Sequence, residues 1–191
     1  NREIIYRRFT YDGRTWSEKE VMLDLKNPFD ETRLCISPAL IYEDGIYRMW
    51  CSSAEDFEGK YRTINYYEMI DGDMMELKSK HALSKGILSH IDVVKDDGKY
   101  WLVGNDVSVD GFPLRLYSFV SPDEKDYNYE GILLSHGKRG RWDDRVIYRP
   151  SAVWANQKLW LYYSAYGTNP NTSNHVGLIK VQNWKELLKC F

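Results

Sequence analysis

The 191-residue chain is poor in cysteine (three) and proline (six), and it has no surplus of charge of either sign. Its 26 Lys and Arg stand against 28 Asp and Glu, for a formal net charge of −2. Without a basic surplus there is no electrostatic footprint for a phosphate backbone, so nucleic acid is not an expected partner. No apolar run approaches the roughly 20 residues that a membrane helix needs, so no membrane segment is expected. The cysteines, Cys35, Cys51 and Cys190, are too few for a disulfide framework. Cys35 and Cys51 lie in apolar runs and read as buried free thiols. There is no glycine-rich nucleotide loop, no paired-cysteine motif and no nucleophile elbow, so neither a cofactor nor a metal is expected. Asn1 opens no secretory signal and is not a methionine, which reads as a processed or truncated end. The triplet Asn171-Thr172-Ser173 matches a glycosylation acceptor, a pattern common by chance. The compartment stays open.

Helical periodicity is also scarce. Only "NWKELLKCF" at the end of the chain reads as a helical turn or two. What is abundant is aromatic: 15 Tyr, 7 Trp and 6 Phe, many alternating with Val, Ile and Leu. That alternation suits strands, and the chain reads as all-β.

The strands repeat. "SPALIYEDGIYRMWCSS" from Ser37, "HIDVVKDDGKYWLVGND" from His90 and "RPSAVWANQKLWLYYSA" from Arg149 align without a gap, their starts 53 and 59 residues apart (37 to 90, 90 to 149). Each is an apolar strand, a polar turn and an aromatic-rich strand. Asp44-Gly45 and Asp97-Gly98 have the chemistry of tight hairpins, and Asn156 substitutes more weakly in the third. A third strand follows each hairpin, and a short fourth strand reads in "KEVMLDL", "KHALS" and "EGILLS". Four strands in about 50 residues, repeated, is the pattern of β-propeller blades. A β-sandwich explains strand spacing but not this register. The expected organisation is one β-propeller over residues 1–191: a partial blade at 1–34, blades at about 35–86 and 87–146, and most of a blade at 147–191. Because third-strand copies stand near both ends, the chain is expected to be the C-terminal part of a larger, five-bladed ring.

These residues resemble the five-bladed propeller superfamily of glycoside hydrolases, which includes invertase-like, arabinanase-like and β-xylosidase-like enzymes. "SPALIYEDGIYRMWCSS" resembles the superfamily's blade opening, "FTYDGRTWSE" its third-strand turn and "VGLIKVQNWKELL" the strand that follows. The chain is especially similar to members, bacterial or phage, that carry an H-I-D-V strand in one blade and I-Y-R-S/P in the next; here "SHIDVV" (89–94) and "IYRPSAV" (147–153). The resemblance implies a propeller with a carbohydrate site in its central cavity. It also implies three catalytic carboxylates, whose positions fall on Ser37, His90 and Arg149, or on Tyr148 for the proton donor. None of these is a carboxylate, so the usual two-carboxylate chemistry does not transfer.

The candidate site therefore rests on the residues themselves. His90 and Asp92 stand at i and i+2, on one face of a strand. In the repeat alignment that face also holds Ser37 and Ala39, then Arg149 and Ser151, and the opposite face holds Pro38, Leu40, Ile91, Val93, Pro150 and Ala152. This predicts a polar channel lining. Asp92 and His90 are the catalytic candidates, as base or nucleophile and its tuner. Arg149, Ser151, Ser37, Trp50, Asn105 and Tyr163 are the substrate-binding candidates. Arg149 suits an anion clamp, because guanidinium matches carboxylate or phosphate with two donors. Asp106, Tyr166 and Asn169 join Asn105 at an expected loop rim. A structural plug, with Asp92 paired to Arg149, explains the same residues, and a cation held by one His and one Asp is the weaker third reading. Trp and Tyr suit stacking on sugars, although aromatics in alternating strands more often pack cores. The expected partner is an oligo- or polysaccharide. Two readings stay open: a glycoside hydrolase-like enzyme, or a non-catalytic carbohydrate-binding or surface interaction module.

Overall fold

The computed structural model describes residues 3–25, 35–54, 62–70, 74–82, 88–106, 115–168 and 174–189. Alternating apolar and aromatic residues build thirteen strands among them: β1 (Glu3–Arg7), β2 (Glu20–Leu25), β3 (Ile36–Glu43), β4 (Ile46–Ala54), β5 (Arg62–Ile70), β6 (Glu76–Ala82), β7 (Leu88–Asp96), β8 (Lys99–Asp106), β9 (Arg115–Ser121), β10 (Asn128–Ser135), β11 (Val146–Ala155), β12 (Lys158–Tyr166) and β13 (His175–Val181). One short helix, α1 (Trp184–Leu187), follows; Asn183 caps it by accepting from the Glu186 N–H at 3.0 Å.

The strands form four antiparallel meanders: β1-β2, β3-β4-β5-β6, β7-β8-β9-β10 and β11-β12-β13. Contacts between sheets centre on their first strands, β3 with β7 and β7 with β11. This is the β-propeller arrangement, blades radiating from an inner ring of first strands. The hairpins close through two residues with positive φ: Asp44 and Gly45 at 54° and 78°, Asp97 and Gly98 at 50° and 70°, Asn156 and Gln157 at 52° and 60°. Two such residues define the mirror-image turn whose twist matches paired strands.

Three apolar clusters weld the sheets. Met22 and Leu23 pack on Met49, Tyr67 and Met69. Trp50, Ile64 and Tyr66 pack on Ile91, Val93, Leu102 and Phe119. Trp101, Val103 and Leu116 pack on Leu159, Leu161 and Tyr163. The helix closes the last junction: Trp184 stacks on Trp101 at 5.6 Å, and its ring N–H donates to the Ser118 hydroxyl at 2.9 Å.

Two sequence expectations need correction. Cys35 and Cys51 are buried but not free; they form a disulfide. Cys35 directly precedes β3, and its Cα lies 5.2 Å from that of Cys51 on β4, within bridging range. Second, the first strands do not split into a polar and an apolar face throughout. Ala39 is 3 % exposed in the core, whereas Leu40 is 48 % exposed. Leu40 pairs with Met49 and therefore shares the face that looks toward β1 and β2. Its repeat equivalent Val93 is 4 % exposed, covered by the neighbouring sheet. Cys190 and the triplet at Asn171 lie outside the described residues. Among the described residues no helix is long and apolar enough to cross a membrane.

Candidate functional site

Every first strand is interrupted by a bulge at the same repeat position. Pairing skips between Ile36 and Ala39, between Leu88 and Ile91, and between Tyr148 and Ser151. Ser37, His90 and Arg149 all fall inside these bulges. Ser37 and Arg149 adopt left-handed backbone, φ 50° and 49°, a conformation that costs a non-glycine residue about 1–2 kcal/mol. Bulges break a ladder and re-aim side chains. Here they bring Ser37 and His90 together across a blade junction and leave the Arg149 side chain exposed.

His90 reaches back to the preceding blade: its Nδ1 meets the Ser37 Oγ at 2.5 Å. Asp92 reaches forward to the next. Its Oδ2 accepts from the Ala152 N–H at 2.8 Å, and its Oδ1 accepts from its neighbour, the Val93 N–H, at 2.8 Å. The Ser151 hydroxyl also donates to this carboxyl. First strands present unpaired backbone donors on their inner edge, and the Asp92 carboxyl satisfies one of them across the blade junction. Burial pushes the Asp92 pKa up; the Ala152 and Val93 N–H groups and the Ser151 hydroxyl pull the other way without overcoming it.

The structure makes two separate pairings of these candidates: His90 with Ser37, and Asp92 with Ser151 and the backbone of β11. The plug pairing of Asp92 with Arg149 does not form: Asp92 is held by strand β11's backbone and Ser151. Arg149 is exposed, its guanidinium 5.5 Å from the Tyr148 ring centroid. Among the described residues it has no carboxylate partner.

Three binding candidates are misplaced by sequence reasoning. Trp50 is fully buried, its ring N–H donating to the Glu124 carbonyl at 2.8 Å. Tyr163 is buried and stacked 5.9 Å from Trp142. Asn105 belongs to strand β8 rather than a loop and is fully buried. It donates to the Ser89 Oγ at 2.9 Å and accepts from the Arg149 N–H at 3.3 Å. Asn105 thus pins the bulge that presents Arg149; it offers nothing to a ligand. Sequence reasoning missed that role because the pairing spans 44 residues. The Asp106 side chain and Asn169 lie outside the described residues. Trp16 is exposed and, with Phe9 and Tyr11, lines a shallow cup of about 440 Å³ at the β1-β2 turn. Among the described residues no group of three or more His, Cys, Asp or Glu is placed to hold a metal.

No protein-family model matches the chain, and no curated protein matches it. Solved structures do. A family 117 glycoside hydrolase of Zobellia galactanivorans, Zg3597, matches with a TM-score of 0.66 at 16 % identity over 95 % of this chain. A β-1,2-mannobiose phosphorylase of Listeria innocua, in complex with mannobiose, matches at 0.67 and 13 % over 92 %. An N-acetylgalactosamine deacetylase from F. plautii, in complex with blood group B trisaccharide, matches at 0.62 and 18 % over 81 %. The chain spans 58 %, 48 % and 51 % of these structures, about half their length. At such identities the likeness is one of fold. The chain has a β-propeller fold shared with family 43 and family 117 glycoside hydrolases, which are five-bladed propeller enzymes.

Proposed function

We propose that this chain is part of a five-bladed, glycoside hydrolase-like propeller that processes a glycan at the inner ends of β7 and β11. Asp92 is the proton donor, His90 and Ser37 hold its flank, and Ser151 and Arg149 contact the sugar. The observation that carries this reading is the environment of Asp92. It is an ionisable carboxyl on an innermost strand, with its pKa raised by burial, and it is tied to the next blade. A raised pKa keeps a carboxyl protonated closer to working pH, as a general acid requires. Proton transfer from Asp92 to the glycosidic oxygen would free the leaving sugar as an alcohol. A water molecule would add to the anomeric carbon and give its proton to solvent, and the polar rim at Ser151 and Arg149 would orient the ring. The fold-level neighbours support carbohydrate as the ligand class, several of them being complexes with sugars.

A binding module is the second reading, favoured by one observation: both Asp92 oxygens already accept backbone N–H groups. A digestion panel of neutral and acidic oligosaccharides, read by mass spectrometry, separates the two. Enzyme action predicts products from at least one substrate that vanish in Asp92→Asn while the circular dichroism spectrum is kept. Products that persist in the variant would remove Asp92 from the chemistry. Binding without turnover in both proteins would establish the module.

Completion of the ring by further strands rests on surface faces. Leu40, 48 % exposed, stands where the next repeat has Val93, 4 % exposed. On the last sheet, half-buried Trp160 and Tyr162 align with Trp101 and Val103, which are fully packed against a neighbouring sheet.

A further inference from the structure

Of the two pairings at the inner strands, the one between Ser37 and His90 has no part in proton donation by Asp92. It joins a hydroxyl to an imidazole nitrogen across a blade junction, Oγ to Nδ1 at 2.5 Å. Both residues are half-buried, so the pair meets solvent without standing in open water. The same two sheets are bonded again beside it. Fully buried Ser52, on β4 and paired with Ile36 of β3, donates from its hydroxyl to the Leu88 carbonyl at 2.5 Å, two residues before His90. Fully buried Asn105 donates to the Ser89 hydroxyl at 2.9 Å, one residue before His90. The strand that carries the imidazole is therefore pinned at consecutive residues, once by the blade of Ser37 and once by its own blade. Ser37 is itself held at φ 50° within its bulge, and backbone kept in such a conformation by its surroundings is a recurrent feature of reactive sites.

We propose that Ser37 and His90 form a nucleophile–base dyad that removes O-acyl groups from a sugar held at these strands. The inference rests on the glycan reading above and adds a second reaction with its own substrate class, an acylated glycan. A serine hydroxyl is a weak nucleophile until an adjacent base takes its proton, and a direct hydrogen bond puts that base in place. The His90 Nδ1 takes the Ser37 proton as the Oγ adds to the ester carbonyl carbon. The tetrahedral intermediate then collapses: the bond from the carbonyl carbon to the sugar oxygen breaks, and the imidazolium gives its proton to that oxygen. The sugar leaves as an alcohol and the acyl group stays on Ser37. Water adds next to the acyl carbon, passing its proton to the same nitrogen. The Ser37 oxygen leaves and recovers the proton, and a carboxylic acid is released. Ester and water have become alcohol and acid. The role asks for the Nδ1 lone pair alone, and an acceptor bonded to the other ring nitrogen would fix that tautomer rather than remove it. Asp92 takes no part, being bonded to the next blade.

The test treats the whole chain with a fluorophosphonate, which bonds to activated serines with loss of fluoride, and locates the adduct by peptide mass spectrometry. Turnover of p-nitrophenyl acetate and acetate release from a panel of O-acetylated oligosaccharides are assayed in parallel. Wild type is compared with Ser37→Ala and His90→Gln, with thermal unfolding as the control for fold; the wild-type adduct itself depends on no variant folding. The dyad predicts an adduct on Ser37, none in Ser37→Ala, and labelling slowed roughly 100-fold or more in His90→Gln, the scale of general base catalysis. Acetate release from an oligosaccharide should vanish in Ser37→Ala. A Ser37 adduct and p-nitrophenyl acetate turnover, with no oligosaccharide bound or deacetylated, uphold the dyad and defeat the glycan reading. No adduct and no ester turnover in folded wild type overturn the dyad and leave the glycan reading standing, because Asp92 is tested on unacylated sugars. Acetate release that persists in Ser37→Ala overturns it too, as does an adduct that forms equally fast in His90→Gln.

Discussion

Asp92 and Glu43 are carboxyls displaced in opposite directions by their surroundings. At Asp92 burial outweighs the backbone donors and the pKa rises above the unfolded value of 3.8. At Glu43 the Lys95 ammonium, bonded at 2.6 and 2.7 Å, outweighs burial and the pKa falls below 4.5. Linkage then gives opposite signs. The Asp92 contribution is fully present below pH 3.8 and is lost as pH rises through its elevated value. The Glu43 contribution is present above pH 4.5 and is lost as pH falls through its lowered value. Urea unfolding across the acidic range should therefore show Asp92→Asn removing a decline in stability toward higher pH. Glu43→Gln should remove a decline toward lower pH. Parallel curves for both variants and the wild type would refute these environments. At this scale the sequence was informative about chemistry and poor about burial. His90 and Asp92 stand out in the sequence as chemistry on an otherwise apolar strand. The bulge between Leu88 and Ile91 nonetheless sends them to opposite neighbours, which i and i+2 spacing does not foretell. Trp50, Asn105 and Tyr163 were misread because alternation says that a residue faces one side, not whether a neighbouring blade covers that side.

Among elements, the hairpins were the most legible and the bulges the least. Asp-Gly pairs announce positive φ locally, and both such turns form. The third turn places Gln157 at φ 60°, where a side chain is strained. Gln157→Gly should raise stability by about 0.5–1 kcal/mol, less than the full left-handed penalty because glycine also loses more chain entropy; chemical denaturation reads this directly. A decrease would mean that the side chain contributes contacts of its own. Bulges leave no local mark, because they depend on which residues of the partner strand pair across them. That is why the alignment foresaw Ser37, His90 and Arg149 as equivalent yet missed their shared irregularity. The disulfide was hidden for the same reason: Cys35 and Cys51 are 16 residues apart and meet only through the register of β3 on β4. Replacing both with alanine should cost about 3 kcal/mol, the loop-closure value for a loop of this length. A loss below about 1 kcal/mol would show that strand pairing alone holds this blade.

At the scale of the whole molecule, blades hold together through interfaces built from few large side chains. Trp184 illustrates this: it is fully buried, stacks on Trp101 and bonds Ser118, joining the helix after β13 to the preceding blade. Its backbone N–H also donates to the Asp96 carboxylate at 2.7 Å. Trp184→Ala should cost about 3–5 kcal/mol and separate the unfolding of β11-β12-β13 from that of β7-β8-β9-β10. Unfolding that stays cooperative, with little loss, would contradict this role. Repetition made the propeller fold readable from sequence, since three aligned hairpins define similar blades. The exposed face at Leu40 was not readable, because register shows what a residue pairs with and not what packs above it. The central claim concerns Asp92 as an ionisable group in a glycan site, and its carboxyl can be observed directly. Carbon-detected NMR titration of Asp92, alone and with a saturating oligosaccharide, should give a pKa above 3.8 that shifts when the sugar binds. A pKa at or below 3.8 that no glycan perturbs would contradict the account.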